Sequence, residues 1–293
     1  MKRLFSFFGI PFFAALLFTA CVGNQPTVSV QRIALNRGTM AVSIGGSEAL
    51  IITITPANAT NQHITWTSSN PTIATVDENG LVTGVSLGVA MITATSEDGN
   101  FEVTNRAQVV QFSDALEGIY FRGLRWATRN VGAPGTFVDA PTDAGMFYQW
   151  NRGVGWSSTN PLVNSNGGTT WDSSIPTGTA WYAENDPCPA GWRVPTEAEL
   201  DDMRSPGSIA MTYNGVSGRL FGIAPDIFFF PAAGSRYHSD GSFRGVDTVV
   251  NYWSSVSIDD DSAWDFWSNR GGVAIGGTYF RASALPVRCV AVD

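Results

Sequence analysis

The sequence predicts two folded domains behind an N-terminal export leader, the first of them an all-β sandwich. Three observations carry this. The chain has 293 residues, more than one ordinary small domain needs. Its texture changes near residue 110, from Thr, Val and Ile alternating with polar residues to a Gly-rich, aromatic stretch that holds nine of the ten Trp. The first half is also punctuated by Gly, Asn and Pro at the short spacing of antiparallel strands.

Residues 1–20 place Lys2 and Arg3 before an apolar run from Leu4 to Phe18, the n-region and h-region of a secretory signal. Gly9 and Pro11 interrupt the run, which is short for a membrane span. It ends "LFTAC", with Thr19 and Ala20 before Cys21, and resembles a bacterial lipoprotein lipobox, although Phe18 stands where Leu is usual. Cys21 is therefore the expected lipidation site. The alternative is ordinary cleavage nearby, with Cys21 left as a free thiol. If Cys21 is acylated, Cys188 and Cys289 remain, and an even pair in an exported chain suggests a disulfide. A nucleophilic Cys needs a His partner, and neither His63 nor His238 is close in sequence to Cys188.

Loss of Lys2 and Arg3 with the leader takes the net charge from −8 to −10 and leaves no lysine. Schiff-base and side-chain isopeptide chemistry on Lys are thus excluded from the mature chain. An acidic surface without basic clusters argues against a nucleic-acid partner.

Residues 21–27 read as a linker and 28–110 as the sandwich, with strands in "ALIITITP" (49–56), "HITWTSS" (63–69), "TIATVD" (72–77), "GLVTGV" (80–85) and "VAMITATS" (89–96). "DENG" (77–80) is a hairpin turn in which Asn79 and Gly80 are expected to supply positive φ angles. Residues 56–99 resemble the bacterial immunoglobulin-like group 2 (BIG2) domain: Trp66 before Ser68-Ser69-Asn70, then Ala74-Thr75-Val76-Asp77, then Gly80-Leu81-Val82. Trp66 is the expected core tryptophan. The resemblance implies a spacer in a surface protein.

A short linker, 111–117, leads to the second domain, 118–293. There "GLRWATRNVG" (123–132), "DAGMFYQWNRG" (143–153), "PCPAGWRVPTEAEL" (187–200), "FFFPAAGSRY" (228–237), "NYWSSVS" (251–257), "SAWDFWS" (262–268) and "LPVRCVA" (285–291) follow in order. This series resembles the Fibrobacter succinogenes major paralogous domain, common in Bacteroidetes surface lipoproteins. The resemblance implies an α+β, C-type-lectin-like fold with paired termini and a helix-to-last-strand disulfide. Within it, Thr196 and Glu199 form a capping box at a helix start, and Glu197 and Glu199 suit the positive end of the helix dipole.

"RVPTEAEL" also resembles a motif of the formylglycine-generating enzymes, but those bind copper through a cysteine pair that this chain lacks. No phosphate loop or HExxH occurs, and no carboxylate pair stands out for glycoside hydrolysis. An enzyme is not expected. The Glu-Pro-Asn and Gln-Pro-Asp motifs of calcium-dependent lectins are absent, and "WSS" follows the matching Trp. The four Asp in "SIDDDSAWD" (257–265) are hard oxygen ligands of the kind Ca²⁺ takes, but an Asp run in a loop reads more simply as solvated, and no cofactor is expected.

The ligand face is expected on the hairpin from Asn251 to Arg281. Strand alternation separates Trp264 and Phe266 from Asp265 and Trp267. With the first pair in the core, Asp265 and Trp267 face outward beside the loop Ser257, Asp259, Asp260 and Asp261. Asn269, Arg270, Tyr279 and Arg281 flank them if the hairpin closes at Gly271-Gly272 or Gly276-Gly277. The opposing expectation is a strand buried on both faces. The whole then reads as an outer-membrane, cell-surface lipoprotein with an Ig-like spacer and a recognition or adhesion head. Its expected partners are the membrane, through the lipid, and a glycan or protein ligand. The alternatives are a structural or tip subunit of a fimbria-like assembly, or a display protein diversified by a retroelement.

Overall fold

The computed structural model describes residues 26–111, 118–204, 208–223, 226–269 and 272–292. The leader, Cys21 and most of the expected linker at 111–117 lie outside the described residues.

The first unit is a β-sandwich built from the expected strands. One sheet runs Thr39–Ser43, Glu102–Val110, Gly88–Ser96, Ile64–Ser68, with Thr39–Ser43 parallel to its neighbour. The other runs Ser47–Ala49, Leu81–Gly84, Ala74–Val76. A pair of strands, Arg32–Leu35 and Ile52–Thr55, flanks them. Alternate residues Met40, Val42, Ala90, Ile92, Ala107 and Val109 fill the space between the sheets, and Trp66 packs against them half-buried. The 77–80 turn forms as expected, but of Asn79 and Gly80 only Gly80 takes a positive φ, 79°. Asp77 Oδ1 instead accepts the Asn79 and Leu81 N–H groups and holds the turn from outside. A Cβ on Gly80 would lie 2.7 Å from Trp66 Cζ2 and 2.9 Å from the Leu50 carbonyl oxygen. Both the backbone angle and the space therefore demand glycine there.

Among the described residues the second unit contains four small sheets. Its chain ends meet: Trp126 pairs with Val290, and Trp192–Arg193 adds on the other side of the final strand. A second sheet runs Gly155–Trp156, Phe147–Gln149, Ala284–Pro286, Ser235–Arg236, Phe243–Arg244. Two three-stranded meanders complete it, Ile209–Tyr213 with Val216–Ile223 and Asp226–Pro231, and Val250–Ser257 with Ser262–Asn269 and Gly272–Phe280. Among the described residues its one α-helix is Glu197–Asp201. The unit is mostly β, with a short helix among long loops, the few helices and long loops that the resemblance implies, and with less helix than the α+β class suggests.

That helix starts where the sequence placed it. Thr196 Oγ1 accepts the Glu199 N–H at 3.3 Å, and Glu199 Oε2 accepts the Thr196 N–H at 2.8 Å. Burial opposes ionisation of Glu199, but the Arg193 guanidinium, forked onto both its oxygens at 2.8 and 2.6 Å, holds the carboxyl below its usual range. Cys188 and Cys289 are bonded, Sγ–Sγ 2.08 Å, joining the segment before the helix to the residue that precedes the last strand, Val290–Ala291.

Two apolar clusters share the Val250–Ser257 and Ser262–Asn269 strands between them. Tyr252 and Phe266 face one, with Phe221, Phe228 and Phe230. Trp253 and Ala263 face the other, with Trp150, Trp181 and Cys289.

Candidate ligand surface

The hairpin expected to carry the ligand face is packed on both sides. Phe266 is fully buried, as anticipated, but Asp265 is only 2% exposed, against an expectation that it points to solvent. It sits opposite Trp253 on the face that turns towards the Trp150 cluster. The register shifts between Asp265 and Phe266, where Gly277 and Ile275 oppose them, so the extra residue lies in the returning strand and alternation along Ser262–Asn269 itself is kept. A Cβ at Gly277 would lie 2.2 Å from Asp265 Oδ1, so the chain passes directly over the carboxyl. Trp264 and Trp267 are both half-buried. Asn269 pairs with Gly272, and the glycines at 276–277 lie inside the returning strand rather than at the end of the hairpin. Asn269 ends its strand, and Arg270 lies outside the described residues.

Arg281 and Tyr279 also correct the expected patch. Arg281 is 2% exposed and lies beneath the loop rather than beside it. Its guanidinium sits 4.4 Å over the Trp150 ring and donates to the carbonyls of Ser262, Gly178, Pro176 and Asp259. Burial pulls its pKa down, and Asp259, Asp260 and Asp261 oppose that pull. Tyr279 turns inward: its ring meets Trp253 edge-on, and its hydroxyl lies 2.8 Å from Ser235 Oγ.

The loop itself is where it was expected. Ser257 Oγ donates to the Thr179 carbonyl at 2.9 Å. Asp259 Oδ1 accepts the Asp261 and Ser262 N–H groups, and Asp261 Oδ1 accepts Ser262 Oγ. These are turn-forming bonds. Asp259 and Asp260 stay exposed, and Asp261 is half-buried. Buried Arg281 pins the loop backbone from below, so the carboxylates are presented on a fixed frame.

An aromatic row that the sequence did not single out adjoins this loop. Ser262 pairs with Phe280, and the Arg281 N–H donates to the Asp261 carbonyl at 2.9 Å, so Phe280 lies next to the acids. Phe280 is 51% exposed. Its ring lies 4.8 Å from His238, which lies 4.2 Å from Tyr237, and Arg244 stacks over Tyr237 at 4.7 Å. Trp171 supports the row by donating its indole N–H to the His238 carbonyl at 2.8 Å. Alternation at the end of the strand is the signal that could have found it: with Tyr279 inward, Phe280 must face out. Such a row offers flat π faces flanked by carboxylates. Among the described residues, no group of three or more His, Cys, Asp or Glu is placed to hold a metal ion.

Asp265 gives a pH prediction. Neither of its oxygens has a hydrogen-bond partner within the protein, and burial pushes its carboxyl up to about 7. The native state therefore keeps a proton that the unfolded chain releases, and stability falls as pH rises from about 4 to about 7. Asp265→Asn should leave stability near pH 4 almost unchanged and raise it at pH 8 by on the order of 3 kcal/mol. Urea midpoints at the two pH values check this; an equal shift at both would rule out titration of Asp265 as the cause.

The sequence profile of the bacterial Ig-like domain (group 2) matches residues 29–107. An uncharacterized protein of Clostridium acetobutylicum is 39% identical over 66 residues, 22% of this chain and 17% of that one. An Ig-like virion protein of Serratia phage KSP90 is 39% identical over 88 residues, 30% of this chain and 32% of its own length. The chain thus spans under a third of each of these relatives. Among solved structures, domains 4 and 5 of the S-layer protein SbsC align at 24% identity and TM-score 0.25, over 28% of this chain and 53% of that one. Sandwich topology, the Trp66–Gly80 packing and the profile agree: residues 29–107 are a bacterial Ig-like domain of group 2.

Proposed function

We propose that this chain is an exported, non-catalytic surface protein, lipid-anchored at Cys21, whose Ig-like domain carries a recognition head that binds a neutral glycan. The head's motif order resembles the Fibrobacter succinogenes major paralogous domain and thereby a lectin-like module. The observation that carries the ligand reading is the row of exposed Phe280 and half-buried His238 and Tyr237 beside Asp259, Asp260 and Asp261. A pyranose ring presents an apolar C–H face that stacks on such rings, and its hydroxyls donate to carboxylates at the rim. The acidic rim repels sialylated or sulfated glycans and nucleic acid alike. A glycan array with the purified mature protein is the test. Phe280→Ala should weaken binding of the hit roughly thirtyfold, as loss of an aromatic hot spot does, with the thermal midpoint unchanged because the ring is exposed. An array without a neutral hit refutes the glycan reading.

A second reading has the same face dock another protein chain in a surface assembly. It is favoured by the Ig-like virion protein among the relatives. An empty array combined with self-association that Phe280→Ala abolishes would select it.

A further inference from the structure

The strand Asp226–Pro231 reads Asp-Ile-Phe-Phe-Phe-Pro, an apolar run without alternation. Such a strand needs cover on both faces. Phe228 and Phe230 point into the head's own core. Ile227 and Phe229 point the other way, and each is fully buried. What covers them includes Ala41 and Val110 of the Ig-like sheet, packed with Met211 and Leu220 of the same head meander. Ala41 is telling. Its neighbours Met40 and Val42 fill the sandwich core, so Ala41 lies on the outward face, which a free-standing sandwich would expose to water, yet it is 0% exposed. The edge of the meander is covered as well. Glu48 of the Ig-like domain, 9% exposed, accepts the Thr212 N–H at 2.8 Å across the junction while its other oxygen holds Arg37 at 3.2 Å. A cavity of about 430 Å³ bordered by Arg37, Glu48, Arg219 and Asp247 lies along the same junction, so the apolar contact is concentrated to one side.

We infer that the Ig-like domain is a structural part of the head rather than an interchangeable spacer: it supplies the second face of the 209–231 meander, and the two units fold and unfold as one body. An uncovered meander would expose Met211, Leu220, Ile227 and Phe229 together with an unpaired strand edge, the combination that promotes aggregation. The coupling also means that a load applied to the head passes through a packed interface into the sandwich.

The full mature chain tests this. Calorimetry of the wild type should give one cooperative transition. Ala41→Arg, which places a long cation into the junction without touching the sandwich core, should split it in two or lower the midpoint by several degrees. Thr65→Arg, on the exposed outward face of the same sheet, should change neither. Two independent transitions in the wild type, or an unaltered profile for Ala41→Arg, overturn the inference. Should Ala41→Arg not fold, hydrogen exchange decides. The Thr212 amide should be protected in the wild type and exchange about tenfold faster or more in Glu48→Ala. A Thr212 amide that exchanges freely in the wild type, or does not respond to Glu48→Ala, overturns it equally.

Discussion

Arg288→Met is expected to destabilise the head by about 4 kcal/mol or more, measured by urea unfolding followed through tryptophan fluorescence. Arg288 is fully buried, and its partners are neutral oxygens. Nε donates to Asn130 Oδ1 at 2.9 Å, and the two terminal nitrogens donate to the carbonyls of Ala127 at 3.1 Å and Phe229 at 2.9 Å. The guanidinium lies 4.4 Å over the Phe230 ring. Burial draws its pKa down to about 10, still far above neutrality, so the site holds a cation at physiological pH. Asn130 continues the network to the Tyr252 hydroxyl at 3.0 Å and the Ala144 carbonyl at 2.9 Å. One side chain thus ties the last strand to the first segment of the head and to the strand that meets the Ig-like domain. Methionine restores the volume and removes the cost of a buried charge, which by itself would favour the variant. It also removes three hydrogen bonds from a cation to buried acceptors, each worth about 1.5–3 kcal/mol, and that sum exceeds the relief. Arg288→Lys keeps the charge but cannot fork to three acceptors, so it should fall between the two. Stability of Arg288→Met within about 1 kcal/mol of wild type would show that the carbonyls find water instead.

The Ig-like domain was legible because its signals are local. Period-two alternation, the Asp77–Gly80 turn and the Trp66 landmark each act within a few residues, and each strand appears within a few residues of its expected span. The Thr196–Glu199 capping box was legible for the same reason. The ligand hairpin was not. Alternation separates the two faces of a strand but says nothing of what covers each, and in the 250–269 strands both are covered by separate clusters. Alternation sets Asp265 on the side opposite Phe266 but does not make that side outward, and closure of the hairpin brings Arg281 to the loop without saying whether it lies beside or beneath it. Their burial depends on Trp150, on Gly277 and on loop carbonyls about a hundred residues away, such as that of Gly178. Arg288 carried no local mark at all within "LPVRCVA". The meander's cover by another domain was equally invisible, although the unbroken run Phe228–Phe230 announced that some cover must exist.

Removing the Cys188–Cys289 bond is the second large effect expected. The half-cystines are 101 residues apart in sequence, and closing a loop of that length restricts the unfolded chain by about 4–5 kcal/mol in the chain-entropy model. Little native structure should be lost with it. Cys188 stays tethered because Asp186 accepts its N–H at 2.9 Å and that of Val194 at 3.0 Å, and Trp192–Arg193 still pair with Val290–Ala291. The loss therefore belongs mainly to the unfolded state, which gains freedom. The paired variant Cys188→Ala/Cys289→Ala should keep the native near-ultraviolet spectrum and unfold at a much lower urea concentration. Its urea slope should be somewhat steeper, because an uncrosslinked chain exposes more surface on unfolding. Cys289 is 0% exposed and Cys188 9%, so mild reductant acting on the folded protein should cleave the bond slowly, and faster once urea opens the head. A double variant that matches the oxidised protein in urea midpoint would mean that the cross-link constrains nothing the fold does not already hold.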